Sequence, residues 1–562
     1  MSAEIKSRNE QVWPVGLPRN LHFPETSLYF NLQAAAARYP QKPAVIFYGH
    51  EISYQVLIEE VERLAGYLEK CCAVKAGDRV VLCSQNSPQY LVGYYAILRC
   101  RGVVVPVNAM TVEDEFDFYV TDSGARVAIV AQDIYPRLAP LVRKGKVQQV
   151  VVHTYSDYLP EQYDVPLPER ITEPRQTLTD PQTTAWFEAI QSGFHADETM
   201  PVADDLAVIG YTSGTTGLPK GCIHSHRTIL AAVAASQAWR GNAVSDVTLA
   251  VAPLFHFLGM QGGMNIPLFM GSTVILLQRW DREAALLLME RYRVTTWSAP
   301  PAMIVDLMAH PDLPHHDVSS LVRLMGGGAA MPEAVARRLQ EDFGIRYNEA
   351  YGLSETAAFI LGNPPLRGKR QCLGIPTFDV QARIVDPLSL EVLPQGDVGE
   401  ILLSGPQVML GYWKNSKATM ETLVELDGGS FLRTGDLGYI DEEGYFFMID
   451  RIKRMVNASG YKVWPAEVEN IMYAHPAIHE ACVIAAPDPR RGETVKAVVV
   501  LREGHEECLT DEQLMLWCRE HMAAYKVPRI IEFVDALPKS ATGKIQWRML
   551  QDKAKVEQNG LS

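Results

Sequence analysis

The sequence predicts an α/β fold, with a large multi-layer N-terminal region followed by a smaller compact α/β stretch. Three observations lead there. The 562 residues are several times the usual domain size, so a large core and at least one further domain are expected. Through the middle of the chain, short β-rich runs alternate with helical patterns, the rhythm of largely parallel sheets layered with helices. From Gly399 onward the texture changes to short alternating strands with turns.

In chain order, 79–84 (RVVLCS) and 102–107 (GVVVPV) read as buried strands. So does 206–211 (LAVIGY), followed by a Gly/Thr/Ser loop and a helix from about Thr228. Strands are expected at 247–252, 272–277, 294–298 and 321–325, with a helix over 281–292 capped by Asp281. A turn at 441–444 and a basic segment at 450–454 (DRIKR) come next, and the domain boundary is placed at that segment. Beyond it, a helix over 465–474, strands over 481–485 and 495–501 and a helix over 511–521 are expected. The polar tail from about Lys553 is expected to fray.

An apolar share of 47% and a charged share of 21% are ordinary for a soluble globular protein. The net charge of −14 argues against a nucleic-acid binder, though not against small anionic ligands. Nine scattered cysteines contain no C-x-x-C pair and suit a reducing cytosol, so a cytoplasmic protein is expected. The N-terminus lacks a signal-peptide core, and no run approaches the ~20 apolar residues of a membrane span. Peripheral membrane contact and a homodimer are left open.

The most informative segment is 211–221, YTSGTTGLPKG. Its glycines let the backbone approach a ligand, the Thr and Ser hydroxyls add donors for phosphate oxygens, and Lys220 supplies charge. Strands of this kind collect ligands at their carboxyl ends, where the loop falls. A Walker A loop is absent, so a different nucleotide chemistry is implied.

This loop resembles the phosphate-binding signature of the adenylate-forming superfamily: acyl-CoA synthetases, luciferases and peptide-synthetase adenylation domains. The remaining signatures follow in order: MGGGAAMP at 325–332, NEAYGLSET at 348–356, GEILLSGPQVMLGYW at 399–413, RTGDL at 433–437, DRIKRMVNASG at 450–460 and PKSATGK at 538–544. Each is weak alone; together, in order over nearly the whole chain, they are specific. The resemblance implies an N-terminal ATP- and acid-binding domain over 1–450 and a mobile C-terminal domain over 451–562, with the active site between them. It also implies ATP, Mg²⁺ and CoA as the groups bound, and a carboxylic acid converted first to acyl-AMP and then to its thioester.

Roles follow by resemblance, residue by residue. Thr212, Ser213, Gly214, Thr215, Thr216 and Lys220 would hold phosphates. Gly327, Gly328 and Ala329 would lie along the adenine, and Tyr351, after which Gly352 follows, would stack on it. Ser354 or Thr356 would contact the α-phosphate, and Glu355 would bind Mg²⁺, since a carboxylate near a triphosphate needs a cation between them. Asp436 has the acceptor oxygens to grip ribose hydroxyls, with Arg451 nearby, although an aspartate after glycine is also a common turn residue. Lys453 falls at the family's hinge, and Ser459 and Gly460 at the face used in the CoA step. Lys544 would enter the site for adenylation, because a carboxylate attacking a phosphate needs a mobile cation between two anions. With Glu355, Thr212 and His256 it forms the expected catalytic set. His256, in PLFHFLG, would sit beside the acyl pocket, although a lone histidine among apolar residues also suits a packed core.

The acyl pocket is expected around Trp239, His256, Met260, Gly262, Gly326 and Ala350, where the small residues would leave room for a long or bulky tail. The 259–271 stretch resembles medium- and long-chain fatty acyl ligases, so such an acid leads and an aromatic acid follows. A stand-alone adenylation enzyme loading a carrier protein is the other alternative. Asn457 stands where luciferases carry lysine, which disfavours light emission. No arginine marks a second carboxylate, although Arg240 is left open.

Overall fold

The computed structural model describes residues 9–212, 219–328, 331–458, 461–488, 492–502, 504, 509–539 and 545–559. Ser213, Gly214, Thr215, Thr216, Ala329, Ser459, Gly460 and Lys544 lie outside them. The chain divides into two compact units. The larger comprises Lys6–Gln381 and Ser404–Leu432; the smaller comprises Met1–Ile5, Ala382–Leu403 and Arg433–Ser562.

The larger unit is built on two mainly parallel sheets, as the strand–helix rhythm predicts. In the first, Arg79–Cys83 lies between Val103–Val107 and Val127–Ala131, all parallel, and Leu206–Thr212 joins on the far side of Val103–Val107. In the second, Val247–Ala250, Thr296–Ser298, Arg323–Gly326 and Tyr347–Tyr351 follow one another in parallel register. Their residues are apolar on both faces because helices cover both sides. Val80, Val81, Leu82, Val104, Ile129, Val274 and Ile275 are all buried in one continuous core.

The helix expected from Thr228 starts earlier, at His226, and runs to Arg240. Ser225 is its N-cap, its hydroxyl accepting from the Thr228 N–H, and Gly241 closes it in the left-handed region at φ 66°. Between the phosphate loop and this helix the sequence reading missed a strand, Lys220–Ser225. It runs antiparallel to Leu206–Thr212 with Thr212 opposite Lys220, so a paired strand leads into the helix. The helix Arg282–Arg291 begins as expected, with the Asp281 carboxylate accepting from the Ala284 N–H.

In the smaller unit, Phe446–Arg451 pairs antiparallel with the later part of the strand Gly429–Ile440, from Asp436 to Ile440, placing Asp436 opposite Arg451. The strands Ile478–Asp488 and Gly492–Leu501 form a long antiparallel pair, and Ile530–Phe533 adds in parallel. The tail corrects an expectation: residues past Lys553 do not leave the fold at that point but continue the helix Trp547–Asn559. Ala554 is buried with Cys482, Ile484, Val498 and Val500, and that apolar contact holds the polar-looking segment down.

The basic segment is fixed by a buried ion network. Arg454 pairs with Glu469 and lies 3.6 Å from Asp450, while Glu469 also accepts from the Val483 N–H and Asp450 from the Ala466 N–H. Burial raises the Glu469 carboxyl above its ordinary value, and Arg454 pulls against that rise. Arg454→Met strands a buried carboxylate and should cost about 3–5 kcal/mol, read as a lower urea midpoint at unchanged slope. The double variant Arg454→Met/Glu469→Leu should recover much of it; no recovery would mean that the pair is not the source.

Candidate active site

The larger unit gathers several expected residues around the start of the strand Lys220–Ser225. Thr212 is the last residue of its strand, with Oγ1 3.5 Å from the Lys220 carbonyl. The Lys220 ammonium lies 5.1 Å from the Tyr412 ring centroid, and Tyr412 donates its hydroxyl to Glu355 at 2.7 Å. Tyr412 is placed there because Gly411–Tyr412 pairs antiparallel with Lys220–Ser225, opposite Cys222. Burial, then the Glu355 carboxylate, raise the Tyr412 pKa, so it stays a phenol and a donor. Cys222 behind it is buried, its thiol pushed well above the ordinary value, so it holds no thiolate for nucleophilic work.

Glu355 sits in the short turn Ser354–Thr356, which is anchored from three sides. The Met409 N–H donates to the Glu355 carbonyl at 2.8 Å. The Thr356 hydroxyl bonds within its own loop, accepting from the Leu353 N–H at 2.9 Å and lying 3.1 Å from the Leu353 carbonyl. Thr356 is fully buried there, whereas Ser354 is partly exposed. His224 holds the third side: its Nε2 lies 2.8 Å from the Ser354 carbonyl and its Nδ1 3.1 Å from the Thr228 hydroxyl. Burial lowers its pKa to about 4, so the ring is neutral near pH 7. A carbonyl can only accept, so Nε2 carries the proton and Nδ1 accepts.

Beside this turn lie the glycines of the expected adenine strip. Gly327 has the Ala350 carbonyl where a Cβ would sit 2.3 Å from it, and Gly328 adopts φ +85°. Glu349, missed by the sequence reading, accepts from the backbone of Gln371 and Met331 and so braces the segment after the strip. Burial pushes its carboxyl up to about 7. Tyr351 is buried at the end of its strand, immediately before Gly352.

The acyl-pocket residues are close together but differently disposed. Trp239 is buried, donating to the Asn363 carbonyl at 2.8 Å and packed edge-on against Trp13 and Phe378. Met260 is buried and Ala350 partly so. The glycines do not leave open room where a side chain would go. A Cβ at Gly262 would lie 2.5 Å from Ser298 Oγ, and one at Gly326 would lie 2.0 Å from the Ala299 carbonyl. Close packing, not tail space, keeps these positions small. His256 is not in the packed core; it is exposed and its Nδ1 accepts from the Leu258 N–H at 3.4 Å.

In the smaller unit, Asp436 is fully buried and its Oδ1 lies 3.0 Å from Arg451 Nε. The two residues expected at the ribose thus meet each other. Glu400, another residue missed by the sequence reading, shapes their loop: it pairs with Arg433 at 2.6 Å and accepts from the Gly435 N–H at 3.0 Å. Lys453 is exposed in the turn Ile452–Arg454. Among the described residues no three His, Cys, Asp or Glu side chains form a metal cluster. A lone carboxylate such as Glu355, with one oxygen engaged by Tyr412, fits Mg²⁺ in the form that ion usually takes, held largely by substrate phosphates. Among the described residues no helix is long and apolar enough to cross a membrane.

The AMP-binding enzyme family matches residues 32–413, and its C-terminal domain matches residues 467–544. A long-chain-fatty-acid–CoA ligase of Bacillus subtilis is 34% identical, covering 96% of this chain and 97% of that protein. A feruloyl-CoA synthase of an Amycolatopsis species is also 34% identical, over 90% of this chain and 94% of its own length. The ATP-bound crystal structure of MatB from Rhodopseudomonas palustris superposes with a TM-score of 0.83 at 28% identity, covering 95% of this chain and 99% of that one. ATP and CoA as substrates fit this family. With both family domains matched in order and acyl-CoA ligases similar to it along nearly its whole length, the chain belongs to the AMP-binding enzyme family.

Proposed function

We propose that this enzyme activates a medium- or long-chain fatty acid in two steps. The carboxylate attacks the α-phosphorus of ATP, expelling pyrophosphate and leaving acyl-AMP; the CoA thiol then attacks the acyl carbonyl and AMP departs. The observation that carries this reading is the Lys220–Tyr412–Glu355 constellation at the end of two paired strands joined by a segment dense in phosphate donors. Lys220 supplies charge toward the phosphates, and Glu355, oriented by Tyr412, would carry Mg²⁺, which offsets phosphate charge when bound. Ser354 is assigned to the α-phosphate in preference to Thr356, whose buried hydroxyl is spent on its own loop. Gly327, Gly328 and Tyr351 are assigned to adenine, and Asp436 with Arg451 to the ribose.

Lys544 serves the first step and the Ser459–Gly460 face the second, exchanged by movement at Lys453 of a C-terminal domain spanning 451–562. Retaining the adenylate between steps shields a hydrolysable anhydride. His256 and Thr212 complete the catalytic set, and the protein works in the cytoplasm. The feruloyl-CoA synthase relative favours an aromatic acid as the second reading. The test is AMP release from ATP and Mg²⁺ over straight-chain and aromatic acids, with and without CoA. CoA-dependent release with straight-chain acids supports the first reading, and with aromatic acids alone the second. Release only in the presence of a carrier protein would overturn both.

A further inference from the structure

Arg240 closes the helix His226–Arg240 and turns its side chain inward, donating from Nη1 to Ser298 Oγ at 2.7 Å. Ser298 ends a central strand of the second sheet, next to Gly326 on the neighbouring strand, and its hydroxyl fills the space where Gly262 would carry a Cβ. The guanidinium therefore reaches the residues assigned to the acyl pocket. It is half-buried by accessible surface, yet deep enough that burial lowers its pKa to about 10, with no charged group acting on it.

The surrounding polar groups are incomplete. Among the described residues no carboxylate pairs with Arg240, and its Nε is buried without a hydrogen-bond partner. Arg323 and Asp246 are engaged with each other, and Arg323 meets the Arg240 carbonyl, not its guanidinium. Ser236, one helical turn before Arg240 on the same face, is 1% exposed with its hydroxyl unpartnered. Thr296, on the same side of its strand as Ser298, is 4% exposed and likewise unpartnered. Buried charges are kept when paired, so the Arg240 guanidinium awaits an acceptor. A hydrocarbon tail supplies none, and a neutral oxygen would leave the charge uncompensated.

We infer that Arg240, backed by Ser298, binds a second carboxylate on the tail of the acid, so that the preferred substrate is a dicarboxylic acid activated at one end only. This rests on the ligase reading and narrows its substrate. The first carboxylate goes to the adenylation site, and the second is selected at the far end of the pocket.

The experiment compares adipate, sebacate and hexadecanedioate with hexanoate, decanoate and palmitate in CoA-dependent AMP release, using the wild-type enzyme and Arg240→Met. The wild type should favour one diacid over its monoacid partner in kcat/KM. Arg240→Met should lose on the order of a hundredfold on that diacid, the usual scale for removing one partner of a buried charge pair, while matching or exceeding wild type on the monoacid. Its melting temperature without substrate should not fall, because an unpaired buried cation has been removed. If monoacids are preferred by the wild type, or if Arg240→Met lowers both classes equally, the inference is overturned and the ligase reading stands. If no acid supports AMP release, both fall. Should the variant fail to accumulate, the wild-type preference alone decides.

Discussion

Gly352→Ala should reduce acid-dependent AMP release on the order of a hundredfold or more, the scale expected when a reacting group moves by ~1 Å. A Cβ on Gly352 would lie 1.0 Å from the Ala358 carbonyl oxygen and 2.2 Å from its carbon. Those are backbone atoms, so no rotamer change relieves the clash. The loop has little room to yield, because Ala357 and Ala358 already sit at φ 49° and 86°, in the region non-glycine residues rarely enter. It is further pinned by Thr356, by the Met409–Glu355 backbone bond and by His224 on Ser354. Relief therefore moves Ser354 and Glu355, the groups assigned to phosphate and metal. Gly344→Ala is the control: that glycine ends a helix at φ +68° in open space, so its alanine should cost only about 1 kcal/mol of strain and leave turnover intact. Near-wild-type AMP release by Gly352→Ala would show that the loop adapts and that its geometry does not control the site.

Much of the fold was legible because parallel buried strands write themselves as continuous apolar runs, as in 79–84, 102–107 and 206–211. The helix Asp511–His521 was legible from its capping box, Thr510 with Gln513. The strand Lys220–Ser225 was not, because KGCIHS mixes a charge, a glycine and a histidine, and it is a strand only through its pairing with Leu206–Thr212. The tail helix was misread for a similar reason: its sequence is polar, and its buried Ala554 packs against strands distant in the chain.

The site was legible where function demands a residue type at a fixed offset, as in the phosphate loop and around Glu355. Partners from elsewhere in the chain were hidden. Tyr412 lay inside a quoted motif, GYW, whose aromatic could have been asked for its hydroxyl partner. His224 and Glu400 carried no local signal, since their roles exist only after two segments are brought together. The grouping of Ala382–Leu403 with Arg433–Ser562 is equally a matter of long-range contacts rather than local texture.

Lys544→Ala should abolish adenylate formation while sparing thioester formation from supplied acyl-AMP. In the first step two anions, carboxylate and α-phosphate, approach as negative charge builds on the bridging oxygen, and a preorganised cation there is worth about 10²–10³ in rate. In the second step a thiol attacks an already activated carbonyl and AMP leaves, so a lysine serving only the first has nothing left to stabilise. Lys453→Pro is the mirror experiment. It fixes φ and removes an N–H at the exposed middle residue of the turn Ile452–Arg454, which should hinder movement there more than it disturbs either static arrangement. The expected bias is therefore opposite: a larger loss in acyl transfer from supplied acyl-AMP to CoA than in pyrophosphate release. Single-turnover measurements of both half-reactions separate the two. Equal loss of both steps in Lys544→Ala would remove that lysine from its assigned role, and a first-step bias in Lys453→Pro would remove the hinge from residue 453, since a domain that need not move there has no reason to fail in the step that follows the movement.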